Sequence, residues 1–300
     1  MPWPARAQDG VTIFLGVVIE AAPFLLLGVL VSQALGLAVR RDRLAGWLPR
    51  GRLSSLAALA GVGALFPVCE CGNVPVARRL VTRGVPVAAA MVFLLSAPAL
   101  NPVVALSTYA AFREQPSIVG YRLVLTFVVA IGVGLLLSLH PRPGELLRGG
   151  GDDPAWEPGP PAVSWRGRVG QFARGALGEF VEMGAVLVSG AALAALVQMA
   201  VPRAALTGIG QGPALSVVAM MALAAVLSVC STVDAFVALA YAGTFTDGSL
   251  VAFLVFGPMI DIKSLLLMLT VFSAKTVALV AVVVAEAVFL LGLGLNYWGS

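Results

Sequence analysis

The segment FPVCECGNVP, Phe66–Pro75, sets two thiols, a carboxylate and an amide between Pro67 and Pro75, in a chain that holds only three cysteines. The third opens the segment CSTVD, Cys230–Asp234. The chemistry open to these types is coordination. Thiolates select soft ions such as zinc or cuprous copper, and by the same softness trivalent arsenic. A closed zinc site takes four ligands, commonly from C-x2-4-C spacings, and C-x-C plus one remote cysteine does not make one. Thiol–disulfide exchange favours C-x-x-C, and Cys230 has no pair of its own. Cysteines at i and i+2, Cys69 and Cys71, fit a turn rather than one face of a helix. Two readings stand for the thiols: ligands for a soft solute or ion, or the inert small hydrophobes that buried cysteines usually are. Their confinement to these two motifs favours ligands.

Other chemistry is thinly represented. There is no G-x-x-x-x-G-K-S/T phosphate loop and no hydrolase constellation, and the single histidine, His140, stands at the edge of a polar segment. The reading is a non-enzyme without a cofactor. Ionisable groups inside a membrane are costly and default to functional hypotheses. Here they are Glu20, Glu70, Glu182, Asp234, Asp261 and Lys263. Asp261 and Lys263 can neutralise each other locally. Glu20 and Glu182 have a structural alternative, capping of freed N–H groups at hairpin tips. Asp234, with Glu70 next, is the candidate carrier of a coupling proton.

The elements that position these groups must lie in lipid. Hydrophobic residues make up 59% of the 300-residue chain and charged residues 11%, and mean hydropathy is +0.97. Soluble domains run at about 45–50% apolar and about 25% charged. A spanning helix needs about 20 apolar residues. Six stretches qualify: Val11–Val39, Val85–Phe112, Val119–Leu139, Phe172–Val201, Ser249–Phe272 and Lys275–Leu295. The first is too long for the apolar region of a signal peptide, about 7–15 residues. Leu53–Val68 and Pro213–Val229 instead stop at the cysteine motifs, each followed by a short apolar arm. Arms of about 10–12 residues are too short for about 30 Å of hydrocarbon. Both regions therefore read as re-entrant helical hairpins with tips near mid-membrane. The alternative is two full helices each, five helices per half.

The net charge of +4, from 19 Lys and Arg against 15 Asp and Glu, speaks to topology rather than nucleic acid. Arg40, Arg41, Arg43, Arg50 and Arg52, then Arg78, Arg79 and Arg83, then Arg142, Arg148, Arg166 and Arg168 fall on one side, against Arg6, Arg113 and Arg203 on the other. The positive-inside rule makes the first side cytoplasmic. Both termini are then expected on the outer side of the membrane. The Pro- and Gly-rich segment His140–Trp165 has linker composition and is expected to be mobile and cytoplasmic. It divides the chain into residues 1–139, a linker 140–168, and residues 169–300.

The halves repeat. LGVVIE, Leu15–Glu20, matches LGEFVE, Leu177–Glu182; PVCECGNVPVA, Pro67–Ala77, matches SVCSTVDAFVA, Ser228–Ala238; VFLLSAPALNP, Val92–Pro102, matches AFLVFGPMIDI, Ala252–Ile262. Three full crossings per half would insert the second copy upside down, a recurrent plan of secondary transporters. The fold expected is all-α and polytopic: two inverted repeats, each of three transmembrane helices plus one re-entrant hairpin. Irregular backbone at depth is tolerated only where it is buried or lines a cavity. Pro67, Gly72 and Pro75 would break the first tip. Pro98 and Pro102, and Gly257 and Pro258, would break two spans beside Asn101 and Asp261. Four broken elements would then converge on one solute site: Cys69, Glu70, Cys71, Asn73, Asn101, Cys230, Ser231, Thr232, Asp234 and Asp261.

FPVCECGNVPVARRL, FLLSAPALNPVV, and VCSTVDAFVAL with FLVFGPMIDIKSLLLM resemble the bacterial predicted-permease family that includes the organoarsenical efflux permeases. The resemblance covers nearly the whole chain apart from the linker. It implies a secondary permease for a small thiophilic solute such as a trivalent organoarsenical, with Cys69, Cys71 and Cys230 implicated. Arsenical-type relatives look more like C-S-C-G at the first motif, where this chain has Glu70. With Asp234, that is similar to a subgroup thought to work with a second membrane subunit, and it raises a soft divalent metal such as zinc as the alternative solute. A transmembrane thiol–disulfide electron carrier is a third reading, opposed by the lone Cys230. The partners expected are lipid, the solute, a second membrane subunit or a second copy of the chain, and no nucleic acid.

Overall fold

The computed structural model describes residues 3–38, 49, 51–66, 69–151, 165–200 and 212–298. Pro67, much of the Arg40–Arg52 loop and of the linker, and both ends of the chain lie outside them. The described residues are almost wholly helical: α1 Trp3–Ala38, α2 Arg52–Ala64, α3 Glu70–Thr82, α4 Val87–Leu100, α5 Pro102–Ala111, α6 Ser117–Ser138, α7 Trp165–Ala200, α8 Pro213–Leu227, α9 Asp234–Leu239, α10 Asp247–Met259, α11 Ile262–Met268 and α12 Ala274–Trp298. Among the described residues, six stretches are long and apolar enough to cross a membrane: Gln8–Leu37, Val87–Ala111, Ser117–Ser138, Val169–Ala200, Asp247–Met268 and Ala274–Tyr297. The chain is a polytopic all-α membrane protein.

Elements α1 to α6 recur in the same order as α7 to α12. Packing follows suit: α2 lies on α4 and α4 on α6, as α8 lies on α10 and α10 on α12. Between the halves, α3 meets α11 and α9 meets α5, while α4 meets α10. The apolar windows containing α4 and α10 are 83% and 78% buried, against 22% to 44% for the other four. A helix apolar all round belongs inside, and these two form the centre. The long α1 and α7 pack on each other at the periphery.

Two breaks shape the centre. The residue before a proline is driven to extended backbone, and Asn101, before Pro102, has φ −61° and ψ 136°. Its side chain then caps α5 by accepting from Val103 N at 2.8 Å. The second break falls at Ile260–Asp261, where Asp261 and Ser264 form a capping box. In both spans a proline, Pro98 or Pro258, stands in the last turn of the helix before the break. These prolines and Gly257 therefore sit inside α4 and α10, and the capping residues make the breaks.

The first motif also differs from expectation. Helix α3 starts at Glu70 and runs through Gly72 and Pro75, so Cys69 is its N-cap and Cys71 lies in its first turn rather than in a hairpin turn. Gly72 does not have positive φ. Its backbone instead receives α1, because a Cβ on Gly28 would fall on the Gly72 carbonyl oxygen. With 13 residues each, α2 and α3 are about 20 Å long, too short to cross the bilayer singly. The start of the linker is docked on the second half: Leu146 and Leu147 are buried, Arg148 N donates to Val271 O, and Ser273 N donates to Leu146 O.

Candidate functional site

Cys69 and Cys230 stand just before α3 and α9 in the same way. Asn73 N donates to Cys69 O at 3.3 Å and Asp234 N to Cys230 O at 3.0 Å. Before Cys230, α8 ends on Ser228 in the left-handed region at φ 47°, a conformation that is uncommon for a residue with a Cβ. The two tips meet. The Cys69 and Cys230 sulfurs and a Glu70 carboxylate oxygen lie within 4.8 Å of one another, all buried. Cys71, in the first turn of α3, is buried as well. All three thiols are free, and Thr232 Oγ1 donates to Cys230 Sγ at 3.6 Å.

Two cations hold the tips. Lys263 Nζ donates to Glu70 Oε1 at 2.8 Å and to Ser228 O at 2.7 Å, and lies 3.5 Å from Asp261 Oδ2. Its nearest carboxylate is thus Glu70 of the other half rather than its neighbour Asp261. Arg122 grips Asp234 with both prongs, Nη1–Oδ1 at 2.9 Å and Nη2–Oδ2 at 2.6 Å. It also donates to Thr108 Oγ1 at 2.8 Å and Ser231 O at 3.3 Å. Bidentate charge-assisted pairs are strong and directional. Three buried carboxylates, Glu70, Asp234 and Asp261, face two buried cations, which leaves one formal negative charge while the thiols are neutral. Glu70 Oε2 and Asp261 Oδ2 are buried and accept no hydrogen bond.

Asn101 is occupied at both ends of its amide, since Nδ2 donates to Phe66 O at 3.2 Å and Oδ1 caps α5. It ties the first break to the approach to Cys69. Asn73 is buried in the first turn of α3 and Ser231 in the second tip.

A second polar cluster lies where α1, α3 and α7 converge. Glu179 accepts from Gln33 Nε2 at 2.7 Å and Ser32 Oγ at 3.2 Å, with Arg79 Nη2 at 3.7 Å. Arg78 Nη1 reaches Glu182 at 3.1 Å. Gln33, Arg78, Arg79, Thr82, Gly175 and the two glutamates line a cavity of about 180 Å³. Glu182 therefore pairs with the body of α3 and does not cap a tip. Glu20, its counterpart in α1, carries no hydrogen bond or ion pair among the described residues.

Arg122 and Glu179 escaped the sequence reading. Both had a signal: Arg122 is a lone cation inside an uninterrupted apolar stretch, and Glu179 lies within the repeated LGEFVE block.

The family described as predicted permease matches residues 7–297. UPF0718 protein YcgR of Bacillus subtilis is 41% identical over 268 residues, 89% of this chain and 90% of that protein. A Streptococcus mutans protein, described as a candidate subunit of a two-component membrane permease complex, is 34% identical over 272 residues, 91% of this chain and 90% of that protein. No solved structure matches significantly. With this coverage and identity, the chain belongs to the predicted-permease family.

Proposed function

We infer that the chain is a secondary permease for a small thiophilic solute, bound where the two tips meet, between Cys69, Glu70 and Cys230. What supports the reading is one observation: the ligating atoms of these residues, from opposite halves of the chain, lie within 4.8 Å in a buried centre. A site shared by both halves changes shape whenever one half rocks against the other, as alternating access about a fixed midplane site demands. The two halves act as inverted repeats, α2–α3 and α8–α9 as re-entrant hairpins, and the docked linker marks the cytoplasmic face. A trivalent organoarsenical suits a pair of thiols: methylarsenite exchanges its two hydroxyls for two thiol sulfurs, releasing two waters. Cys71, beside Cys69, is available as an exchange partner.

A soft divalent cation is the second reading, favoured by the Glu70 carboxylate beside the two sulfurs. The description of the Streptococcus mutans relative supports a second membrane subunit as partner. Asp234 is the coupling carboxylate: taking up a proton would release it from Arg122 and free the second tip.

The test is flux into proteoliposomes for methylarsenite, arsenite, Zn²⁺ and Cu⁺, with wild type and the Cys69→Ser and Cys230→Ser variants. Transport of at least one solute, impaired in each variant, is the expected result. Equal flux in wild type and both variants for every solute rejects the site.

A further inference from the structure

We propose that the Lys263 ammonium is a tethered counter-ion that holds Glu70 in the empty carrier and gives it up when a soft divalent cation binds between Cys69, Glu70 and Cys230. The proposal rests on the reading of that triad as the solute site, and it specifies the solute class as cationic.

The geometry has three parts. An ammonium has three donors; Lys263 gives two of them to Glu70 and to the Ser228 carbonyl at the end of α8, and its Nζ lies 3.5 Å from Asp261 Oδ2, at the cap of α11, without a hydrogen bond to it. Its backbone is pinned, because a Cβ on Gly190 of α7 would come within 3.1 Å of the Lys263 Cα. The side chain is a flexible four-carbon stem. The charged end can therefore shift without the backbone moving.

Glu70 is only half used. Oε1 faces Lys263, while Oε2 is buried without a hydrogen-bond partner. A buried acceptor left unpaired in a native structure calls for an explanation, and a bound ion is one of the few that fit. Here the acceptor belongs to the residue whose carboxylate lies beside two sulfurs. A cation arriving there supplies what Oε2 lacks.

The displaced ammonium has a place to go. Asp261 Oδ2 also accepts no hydrogen bond and stands 3.5 Å from Nζ, so a small shift exchanges Glu70 for Asp261 with the Ser228 contact kept. The charge balances. A divalent cation enters as the two thiol protons leave, and the centre keeps its one formal negative charge. A neutral arsenical needs only the sulfurs and has no reason to compete with Lys263. The lysine therefore separates the two solute classes.

The experiment is calorimetric titration of the purified full-length protein with Zn²⁺, and separately with methylarsenite. Wild type is compared with Lys263→Met, the double variant Lys263→Met/Asp261→Asn, and Cys69→Ser. The double variant keeps the formal charge of the centre and retains a capping oxygen at residue 261, so it guards against misfolding of the single one. Zn²⁺ affinity should rise tenfold or more in the folded lysine variants and fall in Cys69→Ser, while methylarsenite affinity should not change with the lysine. Unchanged or weaker Zn²⁺ binding in the lysine variants overturns the proposal, as does Zn²⁺ binding in none of the proteins. Methylarsenite binding lost in Cys69→Ser would then preserve the site while rejecting the cation. Failure of both ligands rejects the site as well.

Discussion

Arg122 of α6 and Asp234 of the second tip form a two-pronged ion pair across 112 residues of sequence, with Nη2 2.6 Å from Oδ2 and neither side chain open to solvent. The same guanidinium reaches Thr108 of α5 and the Ser231 carbonyl. It therefore fixes the second tip to the first half of the chain. Breaking a buried pair by removing one partner costs about 3–5 kcal/mol, whereas replacing both with apolar groups is often neutral. Arg122→Met should lower thermal stability in detergent by an amount of that order. Arg122→Lys should recover little of it, because an ammonium lacks the planar fork. Arg122→Met with Asp234→Leu should recover most of it. An Arg122→Met protein as stable as wild type contradicts this role.

Asp234→Asn tests coupling apart from binding. The amide mimics a carboxyl that never gives up its proton, and it keeps size and shape. Accumulation driven by a pH gradient should be lost in proteoliposomes, while solute binding remains measurable. Accumulation with unchanged pH dependence removes Asp234 from the coupling step and leaves Glu70 as the next candidate.

Close packing at the first tip yields a stability prediction. Gly28 presses on the Gly72 backbone, and a Cβ there has no room. The obstacle is backbone, so it cannot swing aside. Gly28→Ala should destabilise by about 1–3 kcal/mol, the usual cost of overpacking, and should impair transport by shifting Glu70. Gly184→Ala is the control: nothing lies within 4 Å of its added methyl, and the substitution should be neutral or gain up to about 1 kcal/mol from helix propensity. Thermal unfolding of the two variants side by side decides the matter. Equal stability would mean that the tip gives way easily.

Sidedness follows from two exposed positions. Gly144, in the docked start of the linker, and Glu114, between α5 and α6, are both exposed. In a cysteine-free background, Gly144→Cys should react with an impermeant maleimide only in inside-out vesicles, and Glu114→Cys only in intact cells. The opposite pattern reverses the orientation.

The sequence foretold much of this arrangement, and the reasons are local. Apolar runs of spanning length stand out in any chain, and Pro102 announces the break at Asn101 because a proline constrains its predecessor. The matched position of Asp261 came from the repeat, and the capping box with Ser264 is a short-range pattern. What stayed hidden is long-range. Nothing near Lys263 says that Glu70, rather than Asp261, is its closest carboxylate. Gly28 reads as an ordinary helical glycine until Gly72 is placed against it. Arg122 went unread although it is a lone cation in an apolar stretch, and nothing near it in sequence names its partner. Pro75 and Gly72 misled because proline and glycine break isolated helices, whereas neighbours in a packed membrane interior can satisfy the freed backbone groups.

The central claim is that the two tips together make one thiophilic site. X-ray absorption reads it directly from the bound element, first with Zn²⁺ and then with methylarsenite on the purified wild-type protein. A shell with two sulfur neighbours is expected for at least one of the two, at about 2.3 Å if it is zinc. One sulfur should be lost in Cys69→Ser and one in Cys230→Ser. A shell without sulfur for both solutes, or a sulfur shell that neither variant alters, would contradict the claim.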